Sequence, residues 1–396
     1  MTDSEFPSSE IKRPRVALVA HGIHDHGGME KAYAELIRHA HARYDFTVIA
    51  ADLAPELRPL ARWVRVRVPS RPIPLKSTVF LVLAGLRLRS LRADLVHVCG
   101  AIVPNHVDLA SIHHCHAGFR ASTGALAPRG APWLRRVNTS IERLLALAAE
   151  RWCYRPSRTR CLAAVSAGVA GELERFYPGI PVVFTPNGTD LERFSPSSAE
   201  RQEFRTEVGV SDKRFVALFV GGNWDLKGLE KAIQSVAAAV SRGVECELWV
   251  VGRGDTRRFQ ELAQNVGVVD HVRFFGPRRD PERFFRAADA LVLPSGYETF
   301  SLVAYEAAAS GLPVIATAVN GIAEVVGDDE AGFIVDRDAE AVASALQRLA
   351  VDKSLRARVG SAARRRAMRY SWEASVESVM QAYDRLLRER TLEVAR

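Results

Sequence analysis

Glu298 and Glu306 are the residues whose type and spacing carry the most chemistry in this chain. They bracket Thr299-Phe300-Ser301-Leu302, which follows a short apolar run from Leu291 to Leu293; a second run begins after Gly311-Leu312-Pro313. Pro and Gly punctuate runs too short to be helices on either side of one that is long enough, so the stretch reads strand, loop, helix, strand. Ser301 stands at the expected N-cap, with Leu302, Tyr305, Ala309 and finally Leu312 on one side of the helix. Thr299, Phe300, Ser301 and Leu302 then present backbone N–H groups at a helix N terminus, which favours an anion, most commonly phosphate. At about 1.5 Å of rise per residue both carboxylates can face one crevice. Carboxylates repel phosphate but accept hydrogen bonds from sugar hydroxyls. Together these groups point to a nucleotide sugar.

Lys227 follows Gly221-Gly222-Asn223 and stands just before a helix, placed to meet a diphosphate as a point charge on a flexible stem. Gly27-Gly28 separates a first apolar strand from a helix with Met29, Tyr33, Leu36 and Ile37 at helical spacing. Glycines at such a junction let the backbone approach a ligand, although the same pair also reads as a simple tight turn. His113-His114-Cys115-His116 ends a strand, and His21, His24 and His26 lie in the same half, which raises a transition metal as a ligand. Successive residues on a strand point to opposite faces, so His113 and His114 do not readily share one ion, and no metal is expected. Gly252-Arg253-Gly254 lacks the third glycine of a dinucleotide fingerprint.

The elements that must position these groups alternate strand and helix throughout. Strands are expected at 16–20, 46–50, 64–68, 95–98, 108–112, 161–165 and 182–184, then at 215–220, 246–251, 271–275, 291–293, 314–317 and 332–335. Helices are expected over 75–92, 137–154, 199–208 and 372–387, the last long and amphipathic. Ser166 is an expected N-cap. The segment from Thr185 to Phe194 carries Pro186 and Asn187-Gly188 and marks a turn and linker. The expected organisation is a tail at 1–14, a first Rossmann-like domain at 15–195, a second at 196–370, and a helix at 371–396 crossing back to the first.

The chain of 396 residues suits two cores rather than one. No apolar run approaches the roughly 18 residues of a membrane span. Five scattered cysteines imply neither a disulfide framework nor a four-cysteine zinc site, which fits a reducing, cytoplasmic setting. The net charge is +8, with arginines crowding the first half, among them Arg65, Arg67, Arg135, Arg136 and Arg151. Such a face suits an anionic membrane surface or a phosphorylated acceptor, or is simply a solvated surface. No nucleic-acid recognition module is visible.

Glu298, Glu306 and the strand Val314-Ile315-Ala316-Thr317 after Gly311-Leu312-Pro313 resemble the donor-site signature of retaining glycosyltransferases of family 4, with the GT-B fold of two Rossmann-like domains facing a cleft. The usual Gly-Phe-Gly-Leu is here Thr299-Phe300-Ser301-Leu302. Gly27, Gly28 and Glu30 match the family's Gly-Gly-x-Glu turn, which reaches the donor diphosphate or the acceptor. The resemblance implies transfer of a sugar from a nucleotide diphosphate sugar to a sugar or lipid-linked hydroxyl acceptor, without cofactor or metal, in glycan, glycolipid or envelope polysaccharide synthesis. Gly28, Gly222, Lys227, Glu298 to Leu302 and Glu306 would bind the donor, with Glu306 on the ribose. His113 would sit beside the anomeric carbon, and His116 is the reserve. The family's usual Arg near Gly222 is missing, and Arg253 and Arg278 are the candidates to replace its charge. The same fold also hosts sugar-nucleotide epimerases and phosphorylases, and a catalytically silent partner subunit would keep it too.

Overall fold

The computed structural model describes residues 13–25, 27–124, 133–327 and 330–394. Most of the expected tail, His26 and the side chain of Arg135 lie outside the described residues. The apolar runs of the first half form a seven-stranded parallel sheet: β1 (Arg15–Val19), β2 (Asp45–Ala50), β3 (Arg62–Arg65), β4 (Leu95–Cys99), β5 (Val107–Ile112), β6 (Thr159–Ala164) and β7 (Val182–Phe184). Its spatial order is β3-β2-β1-β4-β5-β6-β7. The second half forms a six-stranded parallel sheet from β8 (Phe215–Val220), β9 (Cys246–Val251), β10 (Val272–Gly276), β11 (Ala290–Leu293), β12 (Val314–Thr317) and β13 (Gly332–Val335), in the order β10-β9-β8-β11-β12-β13. The central strands read as unbroken apolar runs because helices cover both faces of each sheet. A two-residue ladder joining Gly22–Ile23 to Asp52–Leu53 has no periodicity that would announce it.

Strand order reverses at β1/β4 in the first sheet and at β8/β11 in the second. Crevices outside the carboxyl ends of the strands at such switch points are where open α/β sheets bind ligands. Lys227 lies beyond β8 and Glu298 beyond its neighbour β11, with Leu218 paired to Leu291 between them. Gly27 and Gly28 lie beyond β1. Topology therefore delivers the residues singled out in the sequence to two facing crevices.

The chain crosses between domains twice, and the two crossings touch. Thr189 bridges Ser371, and its N–H donates to the Tyr370 carbonyl at 2.7 Å. Beyond this point Phe194 already packs edge-on against Phe285 of the second domain. The helix Trp372–Val394 returns to the first domain and buries Val376, Tyr383 and Leu386 in the same cluster as Leu18 and Leu95. Tyr383 OH sits 2.6 Å from His97 Nδ1, and Asp384 accepts from Tyr44 OH at 2.7 Å. The helix outruns the expected end at Leu387 because Glu393 meets Arg160 at 3.0 Å and Arg390 donates to the Asp94 carbonyl at 2.7 Å.

A Cβ at Gly188 would stand 2.5 Å from the Trp372 Cα, so this crossing admits only glycine. Gly188→Val is expected to lower the unfolding free energy by about 1–3 kcal/mol, the usual cost of overpacking, read as a shift in the urea midpoint.

Candidate functional site

The second-domain side is built on an ion pair. Lys227 Nζ donates to Glu298 Oε1 at 2.7 Å, and Ser295 Oγ donates to the same oxygen at 2.9 Å. Both bonds fall on Oε1, so Oε2 keeps its acceptor capacity for a ligand. Lys227 closes the one-turn helix Trp224–Lys227, and its stem lies over Gly221, where a Cβ would stand 2.6 Å from Cε. Gly221, at φ 137°, therefore carries the constraint expected of this turn. Gly222 beside it has only the Arg253 carbonyl, at 3.8 Å from an added Cβ.

The helix expected after Ser301 runs over Leu302–Ala309. Ser301 holds the N-cap position but does not cap: its φ is 65°, its side chain accepts nothing from the helix, and its buried Oγ has no hydrogen-bond partner. A left-handed backbone turns the hydroxyl away from the donors it would have satisfied. Leu312 does not extend the helical stripe, because Gly311 at φ 77° has already ended the helix. The N–H groups of Thr299, Phe300, Ser301 and Leu302 have no acceptor among the described residues. The Phe300 side chain is structural, stacked on Tyr305 with ring centroids 4.0 Å apart.

The first domain presents a second helix N terminus to this one. Gly27 precedes the helix Gly28–Ala40 without a side-chain cap, and a Cβ at Gly28 would stand 2.5 Å from Leu302 Cδ1. Glu30 folds back so that a Cβ at Gly27 would meet its Oε2 at 2.4 Å. Glu306, half-buried on the helix Leu302–Ala309, has no hydrogen-bond partner among the described residues. Desolvation raises its pKa to about 7, against the opposing fields of Lys31, Arg193 and Lys227. Lys31 comes from the first domain, so Glu306 faces across the cleft.

Further bonds hold the two halves together. Ser166 Oγ donates to the Thr299 carbonyl at 2.6 Å while accepting from Val169 N–H, and Ala167 N–H donates to Glu324 at 2.8 Å. Glu172 of the first domain accepts from Tyr297 OH at 3.0 Å and Asn320 Nδ2 at 2.9 Å. Glu172 and Tyr297 were not singled out in the sequence; nothing local distinguishes Glu172 from any other glutamate on a helix face.

His113 and His116 both reach one cavity of the first domain, together with His21 and His114. Desolvation lowers the pKa of His113 to about 4 and that of His116 to about 3, so both are neutral imidazoles at neutral pH. His113 packs against Tyr33, whereas His114 packs against His116 and Tyr297. The backbone of His116 is tied down by buried Glu150, which accepts the His116 N–H at 2.8 Å and Tyr177 OH at 2.6 Å. Among the described residues no three His, Cys, Asp or Glu side chains group as metal ligands.

The two proposed replacements for the missing arginine differ. Arg278 is held by a two-pronged pair with Asp280, both bonds at 2.9 Å, which commits its guanidinium. Arg253 is exposed at the turn beside Gly222. A third cation was not visible in the sequence: Arg337, beyond β13, donates from Nε to the Pro294 carbonyl at 3.0 Å and lies about its whole guanidinium against Gly296.

Two Rossmann-like domains whose switch points face each other across such a crevice define the GT-B class of glycosyltransferase fold. The solved structure of WaaG, a glycosyltransferase involved in lipopolysaccharide biosynthesis, superposes with a TM-score of 0.76 at 23% identity, covering 92% of this chain and 98% of that one. Residues 26–193 match Glycosyltransferase Family 4, and residues 200–366 match Glycosyl transferases group 1. A D-inositol 3-phosphate glycosyltransferase of Salinispora tropica is 30% identical over 404 aligned residues, covering 91% of this chain and 82% of that protein. Another of that description, from Salinispora arenicola, is 37% identical over 241 residues, 56% of this chain and about half of the relative, 54%. The chain belongs to the group 1, family 4 glycosyltransferases.

Glycine adopts the left-handed region freely, whereas other residues are strained there by about 1–2 kcal/mol. Because Ser301 also wastes its hydroxyl, Ser301→Gly is expected to raise stability by about 1 kcal/mol rather than remove a cap. A Tm that fell on this substitution would contradict the geometry.

Proposed function

We propose that the chain moves a sugar from a nucleotide diphosphate sugar to a hydroxyl acceptor with retention of anomeric configuration, in glycan, glycolipid or envelope polysaccharide synthesis. The observation that carries the reading is the convergence of the free N–H groups of Thr299 to Leu302 with Lys227 and Glu298 at one crevice. Each helix N terminus counts as roughly half a positive charge. The two facing termini and Lys227 thus bring backbone N–H donors and an ammonium to one crevice, the kind of lining a diphosphate takes. The diphosphate lies on those N–H groups and on the two Lys227 protons that Glu298 does not take. Glu298 Oε2 accepts from sugar hydroxyls, and Glu306 accepts from the ribose.

In the reaction the acceptor oxygen bonds to the anomeric carbon as the bond from that carbon to the phosphate oxygen breaks. The acceptor approaches from the face the nucleotide leaves, and its proton passes to the departing phosphate oxygen. Preorganised donors on that oxygen supply most of the rate. Neutral His113 orients groups by hydrogen bonding without adding charge. The protein's own cationic groups carry the role of a divalent ion, so transfer is expected to persist in excess chelator.

Screening nucleotide sugars for transfer identifies the donor and tests the reading. Lys227→Ala is expected to weaken nucleoside diphosphate binding about tenfold to a hundredfold, the worth of a hydrogen bond to a charged group. A ribose hydroxyl donates to the ionised form of Glu306, whose pKa in the free protein is about 7. Ionisation rises with pH, so calorimetric affinity for a nucleotide sugar, whose esterified phosphates do not titrate in this range, should increase roughly tenfold from pH 6 to pH 8. Glu306→Gln should flatten that dependence; a profile that kept its slope would remove Glu306 from the ribose.

A further inference from the structure

The cavity reached by the histidines has a volume of about 740 Å³ and a mostly apolar lining. It lies between the helices Ile73–Arg89 and Trp133–Cys153, with Leu81, Leu145, Ala149 and Trp152 among its walls. At its inner end stand His113 and Met29. Met29 follows Gly28, the residue that meets Leu302, and His114 stands 5.8 Å ring to ring from Tyr297, the neighbour of Glu298. The cavity therefore begins beside the donor helix and leads away from it.

Its flanks are apolar where a water-facing surface would be polar. On the second of these helices Leu134, Val137, Ile141, Leu144 and Trp152 are all at least 46% exposed and recur at helical spacing. They make one stripe roughly 27 Å long at 1.5 Å per residue. On the first helix Leu75, Val82, Leu83 and Leu86 are exposed, while Phe80, Ala84 and Leu88 fill the core on its other face. Contiguous apolar surface of this extent marks an interaction site.

Charge selects the occupant. The helix Ile73–Arg89 contains no acidic residue, and its exposed charges include Arg87 and Arg89. The two glutamates of the other helix face inward: Glu150 is buried beneath His116, and Glu142 lines the cavity, while Arg136 and Arg151 are exposed. The outer face is thus apolar and cationic, the pattern of a helix pair resting on anionic headgroups. Inside, the described lining has two carboxylates and no Lys or Arg; Lys76 and Arg143 come close enough to act on Glu142. Such a lining opposes a phosphate and accepts hydrocarbon.

We propose that this cavity holds the hydrocarbon chain of an amphiphilic acceptor, whose hydroxyl-bearing headgroup reaches the histidine end while the two helices rest on an anionic bilayer. The role given to the headgroup rests on the transferase reading; the chain site does not.

The test titrates the full chain with octyl and dodecyl glucoside below their micellar concentrations, followed by calorimetry. Each buried methylene tightens binding about fourfold, so dodecyl glucoside is expected to bind at least about tenfold tighter than octyl glucoside. Ala149→Trp, which fills the cavity, should abolish dodecyl glucoside binding, with stabilisation by uridine or guanosine diphosphate retained as the sign of a folded protein. Ile141→Glu with Leu144→Glu should weaken sedimentation with phosphatidylglycerol vesicles at least about tenfold. Equal affinity for the two glucosides overturns the proposal. So does vesicle binding without chain binding, which would leave a surface contact only. A dimer dissociated by the two glutamates, with no chain binding, would assign the stripe to a second copy and overturn it likewise. Chain selectivity without any response to nucleoside diphosphates or nucleotide sugars would sink the transferase reading and leave the chain site standing.

Discussion

Two helix N termini of the same polarity meet across one cleft, and the rest of the structure follows from what that costs. The termini at Gly28 and at Leu302 come within side-chain contact, and Lys227 adds a full positive charge beside the second. Like partial charges brought this close repel unless something negative answers them. In the free protein Glu30 answers at the first terminus and Glu298 beside the second, with Ser295 fixing the Glu298 carboxylate. Among the described residues the N–H groups of Thr299 to Leu302 stay unanswered, the condition under which a helix N terminus favours an anion.

Holding that arrangement requires strong tethers elsewhere. Glu172 joins Tyr297 and Asn320, Ser166 joins Thr299, and Glu324 caps the helix that starts at Ala167. Each tether links the first domain to the loop or helix ends of the second. The helix Trp372–Val394 adds a longer brace, seated through Tyr383 and His97 in the first core. Strain is concentrated beside this crevice: Ser301 and Asn223 are the non-glycine residues with positive φ among those described, and they stand at the starts of the helices that carry Glu306 and Lys227. Backbone strain of this kind persists only where surrounding structure over-determines it.

Much of the architecture was legible because parallel strands buried on both faces leave continuous apolar runs between Gly and Pro breaks. Val182–Phe184, Phe215–Val220, Cys246–Val251 and Gly332–Val335 begin and end where that pattern places them. The edge strand β3 is displaced toward Arg62 because its register is set by pairing Arg62 with Thr47, not by its own valines. Lys227 and Glu298 could be named from their turns, since each stands beside glycines or a helix start that a phosphate site needs. Arg337 and Glu172 could not, because each acts on residues more than forty or a hundred positions away and carries no local signature.

By itself the sequence determined the alternating rhythm of strand and helix, the family, and which charged groups and helix starts stand beyond the strand ends. These are local properties, written in periodicity, turn residues and spacing along a few turns of chain. Only the tertiary structure decided which of those groups meet: that Gly28 touches Leu302, that Glu306 looks at Lys31, and that Ser301 fails to cap. It alone also revealed that one apolar face of Ile73–Arg89 and of Trp133–Cys153 stays exposed beside one cavity while Phe80, Ala84, Leu88 and Cys153 fill the core. Burial and juxtaposition depend on which distant segments the chain brings together, and a linear pattern records an apolar face without recording what covers it.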